Sequence, residues 1–113
     1  MILLNTTFSI DASDADAFRH YIIDEFIPRA LKAGMYNMLF TSVRDREAQP
    51  ALAPSRTFAL QFRAPSQQAY DDFATHTLPL LTRYIKRKWA GKIAMFDTVL
   101  DVIHDHNTAE KND

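Results

Sequence analysis

Apolar and polar positions alternate strictly at the start of the chain. Ile2, Leu4, Thr6, Phe8 and Ile10 fall on one face, and Leu3, Asn5, Thr7 and Ser9 on the other. A period of two predicts a strand with one face more apolar than the other. The pattern then changes. Asp11 or Ser13 can cap a helix, and Asp14 and Asp16 put negative charge in its first turn, where the helix dipole favours it. Apolar residues follow at spacings of three and four: Phe18, Ile22, Ile23, Phe26, Ile27, Ala30 and Leu31. That stripe predicts a helix. Pro28 lies inside it and should kink the helix or start a second segment, because proline removes a donor and clashes with the preceding turn. Gly34 is a natural stop.

Met35 to Arg44 reads as a second strand with mixed faces, and Glu47 to Ser55, with Pro50 and Pro54, as a connection. Arg56 to Ala64 is a third strand. Phe58, Leu60 and Phe62 share one face; Thr57, Ala59, Gln61 and Arg63 share the other. Ser66 is placed to cap a second helix whose apolar positions are Ala69, Tyr70, Phe73, Leu80, Leu81, Tyr84, Ile85 and Trp89. Pro79 interrupts it as Pro28 interrupts the first, with Thr77 available to cap a restart. Gly91 ends it, and Gly91–Ile103 is the closing strand. His104–Asp113 is polar and without periodicity, and is expected to be a disordered tail after a single domain spanning residues 1–103.

The order strand, helix, strand, strand, helix, strand predicts an α+β, ferredoxin-like βαββαβ fold. Its sheet would be four-stranded and antiparallel, with both helices on one face. On the closing strand the more apolar set, Ala94, Phe96, Thr98, Leu100 and Val102, is expected to face the helices. The uncovered face would then carry Leu3, Asn5, Thr7, Gln61, Arg63, Met95, Asp97, Val99 and Asp101. That mixture suits contact with a second sheet, so a homodimer through this face, enclosing a partly polar cavity, is expected.

Four segments, MILLNTTFSID, DEFIPRALKAGMY, HTLPLLTRYIKRKWAGK and GKIAMFDTVLDVI, together resemble the bacterial "domain of unknown function 4286" family over residues 1 to 103. The resemblance implies membership of the dimeric α/β-barrel superfamily, in which two ferredoxin-like sheets pair into one barrel. It implies no catalytic set, because the family has no assigned activity. Family members often carry histidine before the Ile-Pro of the first helix. Phe26 stands there in this chain, so no role for that histidine carries over. The histidine ahead of the second helix's proline is kept as His76.

Composition narrows the classes. The 13 basic and 14 acidic residues nearly cancel, which gives no global field for nucleic acid or an anionic membrane. Cysteine is absent, excluding disulfides, thiolate nucleophiles and cysteine-ligated metal. With no apolar run of membrane-spanning length, a soluble cytoplasmic protein is expected, with no membrane partner. The sequon Asn5-Thr6-Thr7 falls inside a strand and is discounted.

The candidate ligand-binding residues are Asn5, Gln61, Arg63 and Asp97, which could point into a barrel and hold a carboxylate or an oxygenated ring, Arg63 as the anion partner. The plainer account is hydrogen bonding at a dimer seam. His76, beside a helix break, is the one weak catalytic candidate, as a proton shuttle; local capping explains it as well. Arg83, Lys86, Arg87, Lys88 and Lys92, with Tyr84 and Trp89 between them, could bind RNA or an anion. Helical spacing instead puts both aromatics in the buried stripe and the cations at a solvated helix end. His20 and Tyr21 read as surface residues. His104-Asp105-His106 is a poor preformed metal site. No metal or cofactor is implied, and there is no phosphate loop or nucleophile elbow. A non-catalytic small-ligand-binding or interaction module fits best. The alternatives are a cofactor-independent oxygenase or isomerase acting on an aromatic or polyketide-like substrate, and, last, RNA or anion binding through residues 83–92.

Overall fold

A computed structural model describes residues 1–44 and 54–107. Strand β1 (Ile2–Asp11) leads through a short 3-10 turn into helix α1 (Ala15–Tyr21), a π turn (Ile22–Phe26) and helix α2 (Ile27–Lys32). Strands β2 (Tyr36–Ser42) and β3 (Ser55–Ala64) follow. Helix α3 (Gln67–Asp72), a second π turn (Phe73–Thr77), helix α4 (Leu78–Lys88) and strand β4 (Ile93–Asp101) complete the fold. The sheet is antiparallel in the order β2-β3-β1-β4, the ferredoxin-like arrangement the strand and helix pattern predicts. Most of the connection expected between β2 and β3, and the tail from residue 108, lie outside the described residues.

Each proline starts a new helical segment. Pro28 and Pro79 sit in the first turn of α2 and α4, where a missing N–H is harmless. A π turn precedes each: the Ile27 N–H reaches Ile22 O, and the Leu78 N–H reaches Phe73 O. The wider turn gives each pyrrolidine ring room that a regular α turn denies it. Ser66 caps α3 as expected, its Oγ accepting from the Ala69 N–H at 3.1 Å. Neither Asp11 nor Thr77 makes a side-chain cap.

Gly34 ends the first helix in a left-handed conformation, φ +98°. Its N–H donates to Leu31 O and the Met35 N–H to Ala30 O, both at 3.0 Å. That is a Schellman closure, with Met35 and Ala30 both buried. A Cβ at Gly34 would meet no atom within 4 Å, so only backbone strain opposes it. Gly34→Ala should therefore cost about 1 kcal/mol of stability, read as a lower denaturant midpoint with an unchanged slope.

The core lies between the helices and one sheet face. Ile2, Leu4, Phe8 and Ile10 of β1 and Phe58, Leu60 and Phe62 of β3 are buried against Phe18, Ile22, Phe26, Phe73, Leu81, Ile85 and Trp89. Phe26, ahead of the Ile-Pro of the first helix, is a core residue only 1% exposed. The helical stripe is narrower than its spacing suggests. Ile23, Leu31, Leu80 and Tyr84 are exposed, so Tyr84 does not join the buried row; Trp89 does.

One expectation is reversed. In the β1–β4 register Phe8 lies opposite Met95, Thr6 opposite Asp97 and Leu4 opposite Val99. Met95, Asp97, Val99 and Asp101 therefore lie on the helix side, and Ala94, Phe96, Thr98 and Leu100 on the uncovered side. β4 is an edge strand, and beyond Met95 its helix-side residues are themselves exposed, so little burial separates its two faces. Register decides instead, and a one-residue slip turns every side chain over. A hydrogen bond from Thr6 Oγ1 to Asp97 Oδ1 (2.6 Å) accompanies it. Thr6 is the polar member of the buried β1 row, and Asp97 satisfies its hydroxyl.

Candidate functional site

Three rows on the uncovered face cross all four strands. Leu39, Gln61, Asn5 and Thr98 form the middle row. Tyr36, Arg63, Leu3 and Leu100 lie on one side of it, and Thr41, Ala59, Thr7 and Phe96 on the other. Asn37, with φ +55°, marks the bulge that keeps Tyr36 and Leu39 on the same face of β2. The centre is thus neutral and polar: two facing amides and several hydroxyls, half-buried along β1 and β3. Its rim is apolar. Phe96 is 70% exposed, Leu39 56% and Leu100 43%. Facing amides can each donate and accept, which suits an oxygenated neutral group better than an isolated charge.

Asn5, Gln61 and Arg63 are therefore brought together as the sequence suggests, and Asp97 is not. Its carboxylate lies on the other face of the sheet, bonded to Thr6. Arg63 is also differently engaged. Its Nη1 lies 3.0 Å from Asp105 Oδ2, with both side chains about four-fifths buried. The Val102 N–H donates to Met1 O at 2.9 Å, which extends the β1–β4 ladder by one rung, and the ion pair then draws the following residues across β1 to β3. Residues 104–107 of the expected tail thus carry the partner of Arg63, and a ligand carboxylate would compete with Asp105 for it. Sequence reasoning missed Asp105 because it lies beyond the periodic segments.

His76 is exposed in the second π turn, on the helix side, so the sheet separates it from Asn5 and Gln61. It has no hydrogen-bond partner among the described residues. His20 is exposed, 3.8 Å from Asp24. Tyr21 departs from the surface position expected for it. It stacks on Tyr84 with ring centroids 4.6 Å apart, and its hydroxyl donates to Leu81 O at 3.4 Å. Burial pushes its phenol up to about 12, so at neutral pH it is a donor and not a base. The rings of His104 and His106 are 5.7 Å apart, with Asp105 between them committed to Arg63. Among the described residues no group of three or more histidine or acidic side chains could hold a metal. No helix among them is long and apolar enough to cross a membrane.

The fold is shared by solved structures of distant sequence. A dimeric ferredoxin-like protein from an uncultured marine organism is 12% identical with a TM-score of 0.59, covering 91% of this chain and 96% of its own. A Bacillus cereus protein provisionally described as an antibiotic biosynthesis monooxygenase is 14% identical, TM-score 0.57, covering 92% and 94%. The de novo designed protein Foldit4 is 8% identical, TM-score 0.56, covering 89% and 97%. A comparison with curated proteins finds no match. Residues 1–103 match the model described as Domain of unknown function (DUF4286), and the chain belongs to that family.

Proposed function

We propose that the chain is a homodimeric module whose two uncovered sheet faces meet and enclose a small-ligand cavity, with no reaction of its own. One observation carries this: the half-buried facing amides of Gln61 and Asn5, continued by exposed Thr98 and rimmed by exposed Phe96, Leu100 and Leu39. Large apolar side chains left open around polar ones are what an interface covers. Likeness to a dimeric ferredoxin-like protein supports the assembly, at an identity that speaks to fold alone. An oxygenase or isomerase would need a base facing the same row. Asp97 and His76 lie on the helix side, and Asp105 is held by Arg63. Fold likeness to a provisionally described monooxygenase adds little weight, since a designed protein shares the fold equally well.

Light scattering at micromolar concentration should give twice the chain mass of 13.0 kDa, and a monomer would sink the assembly. A thermal-shift screen of quinols and aromatic acids should find a stabilising ligand. Its effect should vanish in Asn5→Ala/Gln61→Ala and persist in His76→Ala. Oxygen consumption with any of these compounds would replace the binding reading with the enzymatic one.

A further inference from the structure

Helix α4 turns a dense row of cations outward. Arg83, Lys86, Arg87 and Lys88 are all exposed, and none has a carboxylate within ion-pair distance among the described residues. Other cations are paired: Arg29 with Glu25, Arg63 with Asp105, Lys92 with Asp14. Arg83 and Arg87 stand one turn apart, where like charges repel by a few tenths of a kcal/mol. The helix dipole compensates cations in the last turn, but Arg83 lies ahead of it.

Two shallow, open grooves flank these arginines, and both residues line each of them. One, of about 450 Å³, has an apolar floor of Ala74, Leu78 and Pro79. The other, of about 580 Å³, is lined by Leu80 and Tyr84. Leu80 is 58% exposed and Tyr84 47%. Apolar floors beside a ridge of exposed guanidinium groups match an occupant that is both anionic and amphipathic. A single nucleic acid strand fits less well, because it needs aromatic platforms. Trp89 is 2% exposed, and one face of Tyr84 is covered by Tyr21.

We infer that this side of α4 docks an acidic amphipathic helical segment of a partner protein. Its apolar side chains enter the two grooves, and its carboxylates take Arg83 and Arg87 in the two-pronged geometry a guanidinium favours. The site lies on the helix side and does not depend on the sheet-face assembly.

The test is fluorescence anisotropy on the full chain. The probe is a labelled peptide of about four helical turns, leucines on one face and glutamates elsewhere. Saturable binding is expected, weakening at least about tenfold between about 50 and 200 mM salt. Arg83→Gln/Arg87→Gln should weaken it at least about tenfold while melting temperature and light-scattering mass stay unchanged. Leu80→Ala should weaken it without changing the salt dependence. The inference is overturned by any of three results: no binding of the peptide, equal binding of a scrambled peptide of the same composition, or tighter binding of oligouridylate RNA that the same arginine variants abolish.

Discussion

Phe18→Ala is expected to lower the unfolding free energy by about 3–5 kcal/mol, the loss typical of a fully buried phenylalanine. Phe18 is 0% exposed and sits where four elements meet. Its ring lies 4.9 Å from Phe8 on β1, 5.8 Å from Phe58 on β3, 6.4 Å from Phe40 on β2 and 5.4 Å from Trp89 after α4. Truncation would remove all four contacts and leave a void among rings held by separate backbones, which cannot close together to fill it. Domains of this size hold about 5–15 kcal/mol in total, so much of the stability should go. Urea unfolding should show a lower midpoint with an unchanged slope. A loss under about 1 kcal/mol would mean that the aromatic cluster is not the centre of the core.

Much of this architecture is legible in the order of residues. Alternation on β1 and β3 names the buried faces correctly, because the helices cover one side of those strands and leave the other open. The helices carry a subtler signal. Phe18, Ile22, Phe26 and Ala30 are buried at strict intervals of four. On a regular α helix such a row drifts about 40° per step, so it should leave the core within three turns. The π turn at Ile22–Phe26 takes up part of that drift and keeps the row inward. A run of fours spanning an X-Pro was therefore readable, and it explains why Ile23 and Leu31, which widen the stripe on paper, are exposed.

β4 was not readable by the same means. Its two sets are nearly equally apolar, and an edge strand with little helix cover does not make them differ. The useful clue was across the sheet, at Thr6. A threonine in an otherwise apolar row needs a polar neighbour, and the set containing Asp97 supplies the stronger acceptor, a carboxylate where the other set offers the Thr98 hydroxyl. The same logic limits the site. Asn5, Gln61 and Arg63 follow from strand parity alone, whereas Arg63–Asp105 closes a separation of 42 residues and has no local signature.

Placing aspartates at Phe96 and Leu100 together should convert the proposed homodimer into a folded monomer. Both lie on the uncovered face of the edge strand, opposite Thr7 and Leu3, and both are largely open in the single chain. Burying one such side chain is worth about 1.5–3 kcal/mol, and two-fold symmetry makes each substitution count twice. Four buried apolar groups would become four carboxylates facing one another across a seam that holds few cations. Light scattering should fall from twice 13.0 kDa to 13.0 kDa. Leu80→Asp, on the outer side of α4, should leave the mass unchanged. The double variant also tests the facing of β4. Had Phe96 and Leu100 packed under the helices, two buried charges would unfold the chain; on the uncovered face, melting should stay cooperative while the assembly dissociates. A folded dimer carrying both aspartates would move the contact to another surface.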